Sequence, residues 1–159
     1  MSIRSLRRAL FARTSAEWEA FLEAAVCLGI AAVTIRIVPF RRISSRLGLP
    51  NRESPTELDA RAARRLEHIA WALRTVPRVS PWKTTCLAQA LAGRSMLHRR
   101  GISSTLYLGL SRGDTELPSL GAHAWLRSGS VLVTGGEGQK RFTRVASFAD
   151  CIGAQEITS

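Results

Sequence analysis

Disulfide bonding, metal clusters and base stacking all lack their raw material in this sequence. Its three cysteines, Cys27, Cys86 and Cys151, are odd in number and form no close pair. That is a poor disulfide framework, and it fits a reducing, cytoplasmic compartment. No Cys-x-x-Cys or His-x-x-x-His spacing occurs, so neither a structural metal nor a cofactor is expected. Aromatic residues make up only 6% of the chain, too few to offer a stacking surface for bases. Long hydrophobic runs are missing too. The longest, AAVCLGIAAVTI at residues 24–35, ends at Arg36 and falls short of the roughly 20 residues of a membrane span. Glu17, Glu19 and Glu23 precede it and no small-residue cleavage site follows, so it is a poor signal peptide. It is expected to be a buried core helix, with peripheral membrane contact left open.

What the chain does have is arginine. The formal net charge is +11. The first hundred residues carry 18 Lys and Arg against 7 Asp and Glu, while residues 101–159 carry 5 of each. A basic half can meet nucleic acid, an anionic surface or an acidic peptide. The arginines are spread rather than clustered and no nucleic-acid motif accompanies them, so a nucleic-acid partner is not expected.

The 159 residues suit one compact domain, with residues 1–50 as an N-terminal helical region and 51–159 as the core. Ile3, Leu6 and Leu10 make residues 3–11 a short basic amphipathic segment. Thr14 and Glu17 form a capping box that opens a helix running to about Val38, before Pro39. FRRISSRLG adds a short helix closed by Gly48, and LPNRESP reads as a linker. Ser54, Pro55 and Glu57 predict a second capped helix. Its apolar face is Leu58, Ala62, Leu66, Ile69, Leu73 and Val76, and Pro77 ends it. A further helix starts near Thr84 or Thr85 and closes at Gly101. The pattern then turns to strands: STLYLGL, then AHAWLR and SVLVTG joined at Ser128 and Gly129, then RFTRVASF. Residues 111–121 form a loop between the first two. Helices followed by an antiparallel sheet give an α+β fold.

Cys86 falls in the first turn of the last predicted helix, and His123 falls in a strand. The thiolate, not the thiol, is the nucleophile, and a free thiol ionises near about pH 8.5. A helix N-terminus and a neighbouring imidazolium both favour the thiolate. A sheet packed on that helix would present His123 to Cys86. The pair could then attack a carbonyl and protonate a leaving amine, with backbone N–H groups holding the oxyanion. The residues alone leave a second reading open, in which Cys86 is a small buried side chain. Cys27 reads as core, and Cys151 has no evident base. Trp125 is expected on the sheet face opposite His123, in the core. Trp82, four residues before Cys86, is a candidate to line a substrate cleft.

CLAQALAGRSMLHRRGISSTLYLGL followed by AHAWLRSGSVLVTGG resembles the transglutaminase-like cysteine proteases of lasso peptide biosynthesis, the B2 proteins. IRIVPFRRISSRLG resembles the N-terminal helical region of the same family. The resemblance implies a papain- or transglutaminase-like fold that removes the leader peptide from a ribosomally made precursor. It makes Cys86 the nucleophile and His123 the base. It also implies three partners: the precursor leader, a separate leader-recognition protein of the B1 type, and the lasso cyclase. The recognition protein is expected in trans, because the residues before the second capped helix read as helical. The chain departs from the family at the third triad member, an aspartate about a dozen residues after the histidine. Here that stretch reads Val133, Thr134, Gly135, Gly136. Glu137 is the nearest carboxylate and Asp150 a remoter one, and a backbone carbonyl or an amide could also orient the ring. A non-catalytic scaffold of the same fold, binding precursor or partners, is the alternative, with an Arg-rich nucleic-acid-binding module as a remoter one.

Overall fold

The computed structural model describes residues 14–111, 121–137 and 139–152. The amphipathic segment at residues 3–11 and the loop at residues 112–120 lie outside them. Helix α1 is Ser15–Ile37. It is opened by the expected capping box, in which Thr14 N–H donates to Glu17 Oε2 at 2.9 Å and Glu17 N–H returns to Thr14 Oγ1. Short α2, Phe40–Ser44, follows Pro39.

The second capped helix begins later than expected. Helix α3 is Ala60–Val79, and its cap is Asp59, which accepts from Ala62 N–H at 2.7 Å. Ser54 has another use. Its N–H donates to Thr105 Oγ1 at 2.8 Å and its hydroxyl bonds the same oxygen, pinning the segment to the sheet. Pro77 lies inside the last turn rather than ending the helix. A proline there forfeits one N–H bond, and Ser80 closes the end through bonds from its N–H and hydroxyl to Val76 O. Helix α4 is Cys86–His98.

The strands form one antiparallel sheet in the order β1-β5-β2-β3-β4. They are β1 Leu49–Pro50, β2 Ser104–Ser111, β3 Gly121–Ser128, β4 Val131–Thr134 and β5 Thr143–Asp150. The expected strands are all present. The residues expected as a linker also supply β1, pairing Leu49 with Ala149 and Pro50 with Phe148. Helices α3 and α4 cover one face of the sheet, and α1 packs on them. Leu28, Leu66, Ile69, Leu73, Met96, Leu97, Leu106 and Leu126 are fully buried between the layers.

Helix α1 packs on α3 and α4 through Ala20, Ala24, Cys27, Leu28 and Ala31, so the apolar run at residues 24–35 does enter the core. Its other face is also apolar. Leu22, Val26, Ile30, Val33 and Ile37 make an exposed stripe, each more than half exposed. By length and composition α1 is apolar enough to cross a membrane, with a mean hydropathy of 1.9 over an 18-residue window, of which 28% is buried in the fold.

Candidate active site

Thr85 caps α4, accepting from Ala88 N–H through Oγ1 at 3.2 Å and from Gln89 N–H through its carbonyl at 3.1 Å. Cys86 is therefore the first helical residue. A helix start leaves its earliest N–H groups unpaired, and among the described residues no hydrogen bond occupies those of Cys86 and Leu87. The sulfur thus stands beside two free donors and the positive end of the helix dipole. Cys86 is half-buried and unoxidised.

His123 leaves β3 next to Ala124, which is buried against the helices. Leu126 turns the same way, close to Gly93 of α4. Alternation then sends His123 and Trp125 to the outer face of the sheet. Residues two apart on a strand share a face, so Trp125 does not lie opposite His123, as the sequence reading had it. The two rings stack with centroids 5.9 Å apart. Phe142 stacks on the imidazole at 4.8 Å, and Tyr107 extends the aromatic row by stacking on Trp125 at 5.6 Å. Gly109, the partner of His123 on β2, makes room for the row. A Cβ there would stand 2.7 Å from the Trp125 ring and 2.9 Å from Phe142 Cβ.

Among the described residues the imidazole has one hydrogen bond, from Nε2 to the carbonyl of Gly135 at 2.9 Å. A carbonyl only accepts, so Nε2 carries the proton and Nδ1 is left as the free nitrogen. Gly135 lies 12 residues after the histidine, where the resemblance calls for an aspartate. Its φ is +72°, and a Cβ on it would stand 2.5 Å from Ala124 O. Only glycine brings the chain this close to β3.

Cys86 and His123 line two cavities in common. One, of about 560 Å³, has Arg74, Arg78, Gln89, Gly135 and Glu137 in its walls. The other, of about 270 Å³, is walled by Phe40, Leu87, Leu108, Leu110, Ala122 and Val145. The residues thus come together at one cleft edge, but no hydrogen bond joins the sulfur to the ring among the described residues. The helix side of the sheet holds Cys86, and the imidazole reaches the cleft from the outer side, along the part of β3 that β4 leaves unpaired.

The remaining candidates fall away from the histidine. Glu137 is exposed in the wall of the larger cavity and makes no bond to His123, whose Nε2 is already taken. Asp150 lies near the far end of α4, bonded to His98 Nδ1 at 2.8 Å and to Arg94 at 3.2 Å. Trp82 is 46% exposed and lines neither cavity that holds Cys86. Cys27 is core, with Arg99 donating to its sulfur. Sequence reasoning missed Gly135, Phe142 and the stacking role of Trp125. A glycine pair directly after a short strand was the available signal, since strand-end glycines mark close backbone approach.

Comparisons with curated proteins and with solved structures return no match. A model of the transglutaminase-like superfamily matches residues 29–147, from the middle of α1 into β5. That span contains both Cys86 and His123, and the chain belongs to the transglutaminase-like superfamily.

Proposed function

We propose that this protein is a cysteine peptidase that removes the leader from a ribosomally made lasso peptide precursor. The observation that carries the reading is the shared cleft. Cys86, first residue of a capped helix, and His123, with Nε2–H held on Gly135, line the same two cavities. In the reaction His123 Nδ1 takes the thiol proton and the sulfur attacks the scissile carbonyl carbon. The N–H groups of Cys86 and Leu87 stabilise the oxyanion. The imidazolium then protonates the leaving amine, and the acyl-enzyme forms. Water, deprotonated by the same ring, releases the leader and restores the thiol. Substrate binding brings sulfur and ring into contact, since catalytic hydrogen bonds are commonly loose before substrate is present.

The precursor, a B1-type leader-recognition protein and the lasso cyclase are the proposed partners, in the cytoplasm. The exposed stripe Leu22, Val26, Ile30, Val33 and Ile37 supports docking of the recognition protein, because a protein face of this composition is rarely left open to water.

A second reading has a specific observation behind it. Among the described residues the sulfur and ring are not hydrogen-bonded and no carboxylate bonds the ring, which favours a non-catalytic scaffold that binds precursor or partners. One experiment separates the two. Precursor and recognition protein are mixed with the chain, and the products are read by mass spectrometry. The peptidase reading expects cleavage that Cys86→Ala and His123→Ala each abolish. Binding without cleavage, or cleavage that survives Cys86→Ala, supports the scaffold and removes the reaction from this site.

A further inference from the structure

The cavity of about 270 Å³ beside Cys86 differs in kind from its neighbour. Phe40, Leu87, Leu108, Leu110, Ala122 and Val145 make its wall, with Cys86 and His123 at its mouth. These residues come from α2, α4, β2, β3 and β5, so the cavity is made by the fold rather than by one loop. Three of them, Phe40, Leu110 and Val145, are large apolar side chains that the fold leaves well exposed. The larger cavity that Cys86 also lines carries the charged Arg74, Arg78 and Glu137 beside Leu73, Pro77 and Leu132. A chain that crosses the sulfur therefore meets one cavity of mixed, charged lining and one that is almost wholly apolar. The apolar cavity is smaller than the roughly 300 Å³ at which drug-sized pockets begin, so it suits one side chain rather than a whole ligand.

We propose that this cavity is the specificity pocket of the cleft and takes one large aliphatic or aromatic side chain from the substrate, next to the bond at Cys86. The proposal rests on the reading of Cys86 as the reacting atom. Apolar pockets of this kind discriminate by roughly 10- to 200-fold for a methylene or more of buried surface.

The test does not require peptidase activity. Cys86 is alkylated with iodoacetamide and with its N-benzyl derivative, the thiolate displacing iodide in both. Peptide mapping follows the rate at Cys86, with Cys151 as the internal reference. The pocket expects the benzyl reagent to be favoured at Cys86 by roughly tenfold or more over the ratio at Cys151. Ala122→Trp, which fills the cavity from an exposed strand position, and Val145→Asp, which charges its rim, should each return the ratio to that of Cys151. Thermal melts of both variants check that they fold. Equal ratios at the two cysteines in the unaltered protein overturn the pocket, whatever the peptidase assay gives. A benzyl preference that both folded variants keep overturns it as well. A preference that both variants lose upholds it, even where no precursor is cleaved and the peptidase reading alone fails. Where cleavage does occur, replacing each residue flanking the cut with aspartate should lower kcat/KM by roughly 10- to 100-fold at one position only.

Discussion

His123 donates its Nε2–H to the carbonyl oxygen of Gly135 at 2.9 Å. A backbone carbonyl thus holds the ring where the resembling proteases are expected to use a carboxylate. Both acceptors fix the same tautomer and leave Nδ1 as the free base. They differ in charge, because a carbonyl dipole stabilises an imidazolium less than an ionised carboxylate does. This contact therefore does the orienting half of the third residue's work and less of the electrostatic half. Stacking by Phe142 and Trp125 supplies further orientation without charge.

Gly135→Ala tests this arrangement directly. The φ of +72° disfavours alanine, and the new Cβ would stand 2.5 Å from Ala124 O. The loop must move, and the carbonyl moves with it. We expect a stability loss of about 1–2 kcal/mol. Precursor cleavage should fall roughly 10- to 100-fold in kcat, with KM little changed, because orientation of the base acts on the chemical step. The ring 15N shifts of His123 should change from one fixed tautomer to a mixture. Unchanged shifts would assign the loss to folding alone.

Carboxylate substitutions make the opposite prediction. Glu137→Gln should leave cleavage within about twofold, since no bond ties this side chain to the imidazole. Asp150→Asn should also spare cleavage but lower stability. It removes the charge that His98 and Arg94 share at the far end of α4. Truncating a mostly buried charged partner costs about 1–3 kcal/mol, read as a lowered Tm. A large kcat loss in Glu137→Gln would return the third-residue role to that side chain.

The sequence made some of this legible and hid the rest for physical reasons. Thr85 before Cys86 is a local cap that keeps its bond to Ala88 N–H in the fold, so the position of Cys86 at the first turn could be read directly. The Ser54 capping box failed because a distant partner, Thr105, won the serine. No local pattern contains that competition. At the third triad position the sequence left Glu137, Asp150 and a backbone carbonyl all open and could not choose among them. A carbonyl acceptor has no side chain to recognise, and Gly135 shows only as one glycine of a pair. Membership of the superfamily was legible in the motif wording around Cys86 and His123. The aromatic row over His123 needed the correct face for Trp125 and the arrival of Phe142 from the bend just before β5, close in space but not in sequence.

The open stripe on α1 can be probed without touching the site. Ile30 is 61% exposed on α1, at the edge of a groove that Leu91 and Ser95 of α4 also line. Ile30→Glu should leave Tm nearly unchanged, within about 0.5 kcal/mol, as surface changes commonly do. It should abolish co-elution with the leader-recognition protein on size exclusion, while small thiol reagents still label Cys86 at the original rate. Co-elution at full strength would move the docking site elsewhere.

Glu23 gives the pH dependence of the helical layer. Burial raises its carboxyl, and bonds from Arg100 and Arg99 more than offset this, leaving the value below the ordinary 4.5. Arg100 Nη1 reaches Oε1 at 3.0 Å and Arg99 Nε at 3.2 Å, joining the end of α4 to α1. A carboxylate whose folded value is depressed contributes its full stability above the unfolded value. That contribution is lost as pH falls from about 4.5 through the lowered folded value. Between pH 7 and 5 this group should therefore add no slope. Glu23→Gln should lower Tm by about 2–4 °C at pH 7, corresponding to about 1 kcal/mol once partial exposure is allowed for. The gap between Glu23→Gln and the unaltered protein should narrow as pH falls from about 4.5 through the lowered folded value, because protonation makes Glu23 as neutral as the glutamine. A gap that persists undiminished at pH 3 would show that the glutamate acts through packing and not through its charge.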